Sequence, residues 1–117
     1  MVLHSTEKDS LTPLQLRNEL GLSHERLAAV VGVGTEAIQR WEEEGRAPTS
    51  RYARQRLTAL HEILELGRLV YTPEGMRTCF STPQPRFRGA TALELIETNR
   101  SAEVVAALAE DYEGLGP

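Results

Sequence analysis

Residues 22–48 read LSHERLAAVVGVGTEAIQRWEEEGRAP, and the punctuation of this stretch decides the fold. Ser23 is an N-cap residue, because its hydroxyl accepts from the free amides of a first helical turn. Leu27, Ala28 and Val31 recur at helical spacing and share one face. Gly32 and Gly34 then bracket Val33 in a tight turn. Thr35 to Glu44 make the next helix, with Ile38 and Trp41 three apart on its buried side, and Gly45 and Pro48 stop it. Two short helices that meet at a small residue, Ala28, and are joined by a glycine turn have the layout of a bihelical DNA reader. The outer face of the second helix carries Thr35, Glu36, Gln39 and Arg40. In that layout the second helix lies in the major groove, so Gln39 and Arg40 are the expected base readers. Ser23 and Arg46, Arg51 and Arg54, the last three just beyond the recognition helix, are the expected phosphate contacts. The triplet Glu42-Glu43-Glu44 opposes DNA unless it points away.

Upstream, Thr12 caps a helix with Pro13 at its first position, where a missing N–H costs nothing, and Gly21 ends it after Leu16 and Leu20. Downstream, Ser50 opens a longer helix on which Ala53, Leu57, Leu60 and Leu64 repeat, running to about Leu69 or Tyr71 with Gly67 as a weak point. Thr72-Pro73 repeats the Thr-Pro device for another short helix. Residues 81–89, with Pro83 and Pro85, break the helical pattern and read as an ordered loop anchored by Phe87. Thr91 and Glu94 form a capping box for a helix carrying Leu93, Leu95 and Ile96. Ser101 is expected to cap a last helix with Val104, Val105 and Leu108 inward. The fold class is therefore all-α, with no convincing strand. The chain divides into a disordered start at 1–10, the helix-turn-helix at 11–49, a connecting helix at 50–71 and a small helical module at 72–117.

The 117 residues carry a formal net charge of −4. Up to position 60 there are eight basic and eight acidic side chains, and beyond it five arginines face nine acids. A neutral half with local basic clusters and an acidic second half suits a DNA module joined to a protein-binding one. No apolar run approaches the roughly 20 residues that cross a bilayer, and the polar start lacks a leader pattern, so a cytoplasmic protein is expected. The single cysteine, Cys79, forms no internal disulfide and reads as a small buried apolar residue. His4, His24 and His61 are scattered with no metal spacing, and Gly32-Val33-Gly34 lacks the surroundings of a phosphate loop. No catalytic activity, metal or cofactor is expected.

The segment 22–48 resembles the Xre-type helix-turn-helix. Its pattern of Leu, Ala, Gly-Val, Ile and Arg-Trp-Glu is met by Leu27, Ala28, Gly32-Val33, Ile38 and Arg40-Trp41-Glu42, with Gly34 in place of the more usual Ser or Thr. Residues 79–114 resemble the toxin-binding domain of the Xre/MbcA/ParS antitoxin family. Cys79-Phe80, Thr82-Pro83-Gln84, Gly89, Ala92-Leu93, Leu95-Ile96, Tyr112 and Gly114 carry that likeness, with Cys79 standing for a Trp and Ala92 for a Pro. The resemblance implies an antitoxin of a type II toxin-antitoxin system, a homodimer that represses its own operon by binding operator DNA. It implies a partner, usually a RES-domain toxin that consumes NAD, held inactive by the antitoxin's C-terminal region. A flexible tail with Tyr112, Glu113, Gly114 and Leu115, beside Glu110 and Asp111, suits insertion into a basic cleft, and Arg100 is a second candidate contact. The alternative is a stand-alone helix-turn-helix transcription regulator whose second half dimerises or senses a ligand.

Overall fold

In the computed structural model, residues 12–46 and 48–115 are described; the expected disordered start at 1–10 lies outside them. Within the described residues seven α-helices follow one another: α1 Pro13–Leu20, α2 His24–Val31, α3 Thr35–Glu44, α4 Arg51–Arg68, α5 Pro73–Ser81, α6 Ala92–Glu97 and α7 Ser101–Gly114. A 3-10 turn, Pro85–Phe87, lies between α5 and α6, and no strand occurs among the described residues.

Local chemistry explains most of these boundaries. Thr12 and Gln15 form a reciprocal capping box ahead of Pro13, and the left-handed Gly21 ends α1. Ser23, Ser50 and Thr72 each accept a backbone N–H at the start of α2, α4 and α5. Thr91 and Glu94 exchange the two bonds of a capping box at α6, at 2.9 and 3.0 Å. Each such cap stabilises its helix by about 1 kcal/mol by satisfying amides that have no intrahelical acceptor.

The helices enclose one core to which every helix contributes. α2 packs on α3, α4 and α6; α1 packs on α3, α4 and α5; α4 and α6 both pack on α7. Leu16, Leu27, Val30, Ile38, Leu60, Leu64 and Ile96 are completely buried within it, and Trp41 belongs to the same cluster. The proline-bearing loop is held by the buried Phe87, while Gln84 donates to the Cys79 carbonyl at 2.8 Å.

Four expectations change. Ser101 is the first residue of α7 and does not cap it: the N-cap is Arg100, which makes no side-chain capping bond. Val105 is 40 % exposed, and Ala107 turns inward with Val104 and Leu108 instead. Gly67 is not a weak point but a close approach, since a Cβ there would lie 2.6 Å from Met76 Sδ. Cys79 is half-buried at the core margin.

Candidate nucleic-acid interface and partner surface

The turn between α2 and α3 is built on Gly32, whose φ of +86° lies in the left-handed region that disfavours any side chain. Its N–H and that of Val33 both reach the Ala28 carbonyl, at 2.8 and 3.0 Å, and this closes α2. Gly34 starts α3 without a side-chain cap. On α3, Ile38 and Trp41 face the core, while Glu36, Gln39 and Arg40 are exposed at i, i+3, i+4 spacing and Thr35 is half-buried. The structure therefore gathers the expected base-reading side chains on one free helix face.

The acidic triplet resolves into different environments. Glu42 turns back across the bundle, accepting from Arg17 Nε at 2.7 Å and Arg17 Nη2 at 3.1 Å, with His24 Nε2 at 3.0 Å. The hydrogen bond from Arg17 holds the Glu42 carboxyl below the usual carboxylate range against the opposing effect of burial, and His24 adds to it. Glu44 pairs on the surface with Arg46 at 2.9 Å, which partly commits one expected phosphate contact. Glu43 alone of the three stays outward and unpaired among the described residues.

The arginines divide in an informative way. Arg17, Arg26, Arg46, Arg68, Arg86, Arg88 and Arg100 each pair with a carboxylate. Arg77 donates to the carbonyls of Asn18 and Glu19 that close α1. Arg40, Arg51 and Arg54 have no hydrogen-bond or ion-pair partner among the described residues and are exposed. Arg51 and Arg54 line a shallow depression of about 270 Å³ along α4 with Gln55, Thr58, Ala59 and Glu62. Ser23 is placed elsewhere: its hydroxyl caps α2 by accepting from the Arg26 N–H at 3.0 Å. It borders a depression of about 450 Å³ shared with Ser81, Thr91, Leu93 and Glu94 of the second half.

One pair at this end was not singled out from the sequence. Arg56, only 8 % exposed, donates from Nη1 to the Val30 carbonyl at 2.8 Å and from Nη2 to the Tyr52 hydroxyl. Its guanidinium also stacks 4.8 Å from the Tyr52 ring centroid. Tyr52 in turn covers Gly32: a Cβ on that glycine would lie 3.1 Å from Tyr52 Cε2. The i, i+4 spacing of an aromatic and an arginine was the available signal, but only the fold shows that the arginine points inward.

In the second half, the expected flexible tail is ordered helix. Tyr112, Glu113 and Gly114 belong to α7, and Leu115 follows with right-handed helical dihedrals. Asp111 anchors this end, accepting from Arg86 Nη1 at 2.9 Å, Arg86 Nη2 at 3.0 Å and the Tyr71 hydroxyl at 2.8 Å. The bond from Arg86 lowers the Asp111 pKa against burial, while burial first, then donation to Asp111, pushes the Tyr71 hydroxyl up to about 12. Asp111 is thus committed internally, and the outward groups are Glu113, Tyr112 at 50 % exposure and Leu115 at 60 %. Arg100 is not unpaired: its Nε meets Glu103 Oε2 at 2.7 Å, and Arg88 holds the other oxygen of Glu103 at 2.9 Å.

An all-helical fold with an Xre-like helix-turn-helix domain at its N-terminal end is the class these features define. Residues 14–60 match the helix-turn-helix family model. Over the whole length, the fold is similar to that of a chain in the crystal structure of the M. tuberculosis MbcT-MbcA toxin-antitoxin complex. The TM-score is 0.74 at 20 % identity, covering 100 % of this chain and 99 % of that one. At that identity the likeness is one of fold. Comparison with curated proteins gives no match. No helix among the described residues is long and apolar enough to cross a membrane, and no group of three potential metal-ligating side chains occurs among them.

Proposed function

We propose that this chain is a cytoplasmic, non-catalytic antitoxin that binds operator DNA through α3 and a toxin protein through the end of α7. The observation that carries the DNA half is the arginine division: in a chain of net charge −4, the cations left without partners among the described residues are Arg40, Arg51 and Arg54. Unpaired surface cations on α3 and on the first turn of α4 suit a polyanion, because each phosphate neutralised releases condensed counterions. In this reading Gln39 and Arg40 read bases beside Thr35 and Glu36, while Arg51 and Arg54 hold phosphates, with Arg46 and Ser23 in lesser roles. Homodimerisation along the connecting helix α4 belongs to the same reading, since such modules address paired half-sites.

The partner half is supported by the whole-length similarity of fold to a chain of a toxin-antitoxin complex. Tyr112, Glu113, Gly114 and Leu115 form the docking end, with Arg100 at the other end of α7, and a RES-type NAD-consuming toxin is the proposed partner, covered at its active site. The test is co-expression with the neighbouring gene product. Removing residues 112–117 keeps the Asp111 anchor, so it should abolish protection while leaving DNA binding intact; full protection by the truncated chain refutes the assignment. Arg40→Ala should weaken operator binding by about 1–3 kcal/mol if that side chain reads a base, and equal affinity removes it from the site. Operator binding without any co-purifying toxin favours a stand-alone regulator.

A further inference from the structure

We infer that the Tyr52 hydroxyl is a DNA-phosphate contact, held in place and polarised from behind by the buried Arg56. This rests on the DNA-binding reading and extends it to a neutral side chain on α4. Arg56 is buried without a carboxylate partner; its two bonds go to a carbonyl near the end of α2 and to the Tyr52 oxygen. A buried guanidinium whose charge is not neutralised is costly, so an anion brought close to it is favoured. The route for such an anion runs through Tyr52. Its oxygen accepts from Arg56, so its own proton is free to donate, and no acceptor for that proton exists among the described residues. The side chain is 52 % exposed.

Position supports the same ligand. The ring lies on Gly32, at the turn that leads into α3, so the hydroxyl is fixed relative to the helix proposed to enter the groove. Arg51 and Arg54, both unpaired, occupy the same first turns of α4. A phosphodiester oxygen meeting the hydroxyl here would set the depth and register of α3, which is what backbone contacts do for a reading helix. Glu36 is the carboxylate on that side, folded back so that its Oε1 would lie 2.5 Å from a Cβ on Gly34.

The experiment uses the full chain and a fluorescein-labelled DNA duplex of mixed sequence at low salt, because a phosphate contact does not depend on base sequence. Tyr52→Phe keeps the ring on Gly32 and removes only the hydroxyl. It should weaken binding by about 10- to 100-fold, the cost of one hydrogen bond to a charged group, equally on unrelated duplexes and with the salt dependence retained. The Arg51→Ala/Arg54→Ala double variant should instead lower the slope of log affinity against log salt, by roughly one for each arginine that no longer neutralises a phosphate. Wild-type affinity in Tyr52→Phe alongside weakened binding in the double variant overturns the Tyr52 contact and leaves the DNA reading standing. A loss of affinity that tracks a loss of helical circular dichroism at the assay temperature assigns Tyr52 to folding and also overturns it. No binding by the wild-type chain removes the DNA reading and the inference together.

Discussion

Glu42 shows how a single residue can be read correctly for its chemistry and still be misplaced. Three consecutive glutamates at the end of the helix proposed to read DNA look repulsive, yet the first serves the fold, tying α3 to Arg17 of α1 and His24 of α2. Because the folded-state pKa of Glu42 is lowered, this tie contributes stability that is present above the usual carboxylate range and is lost as pH falls through the folded value. Asp111, lowered in the same way by Arg86, acts in the same direction. Glu42→Gln should therefore cost about 1–2 kcal/mol at neutral pH, as expected for weakening a charge-assisted pair, and should flatten the acid limb of the stability curve. Urea titrations between pH 3 and pH 7, on the order of the usual carboxylate range, check this; parallel acid limbs for variant and wild type would contradict it. The caps were legible because Thr12, Ser23, Ser50, Thr72 and Thr91 act within three residues of themselves. Glu42 was not, because its partner Arg17 is 25 positions away and only the packing of α1 on α3 brings them together.

At the scale of the elements, periodicity located the helices well and their contacts poorly. The span Thr35–Glu44 follows from Gly34, Gly45 and the Ile38–Trp41 spacing, and the structure reproduces it. Gly67 had the opposite fate. In an isolated helix a glycine is a defect relative to alanine by about 1 kcal/mol, which is all that propensity can register. In the fold it is a point where α5 comes close to α4, with Met76 almost wholly buried against it. Gly67→Ala should therefore be destabilising despite the gain in helix propensity, because overpacking a closed core costs about 1–3 kcal/mol. Adding Met76→Val should recover part of the loss, since the two sites share one contact and their effects cannot be additive. Thermal melts of the two single variants and the double variant measure the coupling, and strict additivity would refute the close-approach reading. The end of α7 escaped the sequence for a related reason: Glu113, Gly114, Leu115 and Gly116 resemble a loose tail, but Asp111 is clamped by Arg86 from the loop between α5 and α6 and by Tyr71 from the connection between α4 and α5.

The whole molecule places both proposed surfaces on one core. α1 is covered by α5, α2 by α6 and α4 by α7, so each of these pairings joins a helix of the helix-turn-helix half to one from the second half. Ser23 and Arg26, on either side of the start of α2, accordingly border the same depression as Thr91 and Glu94, and Arg26 pairs with Glu97 of α6 at 2.7 Å. A chain of this size buries too little surface for two independent cores. A fragment ending at Tyr71 would expose the apolar faces of α1, α2 and α4 together, among them the now fully buried Leu16, Val30, Leu60 and Leu64. At about 1.5–3 kcal/mol for each fully buried aliphatic side chain, uncovering several of them removes an amount comparable to the roughly 5–15 kcal/mol that stabilises a typical domain. The fragment 1–71 should therefore show no cooperative thermal transition and no DNA binding, although it contains all of the matched residues 14–60. Circular dichroism melts and duplex binding of the fragment against the full chain decide the matter: a sharp transition would show that the first half folds alone. If the fragment fails, a partner seated on the end of α7 stabilises the same cooperative unit that presents Arg40 and Tyr52. Binding of the proposed toxin should then raise the melting temperature of the helix-turn-helix half as well, in step with the partner's concentration.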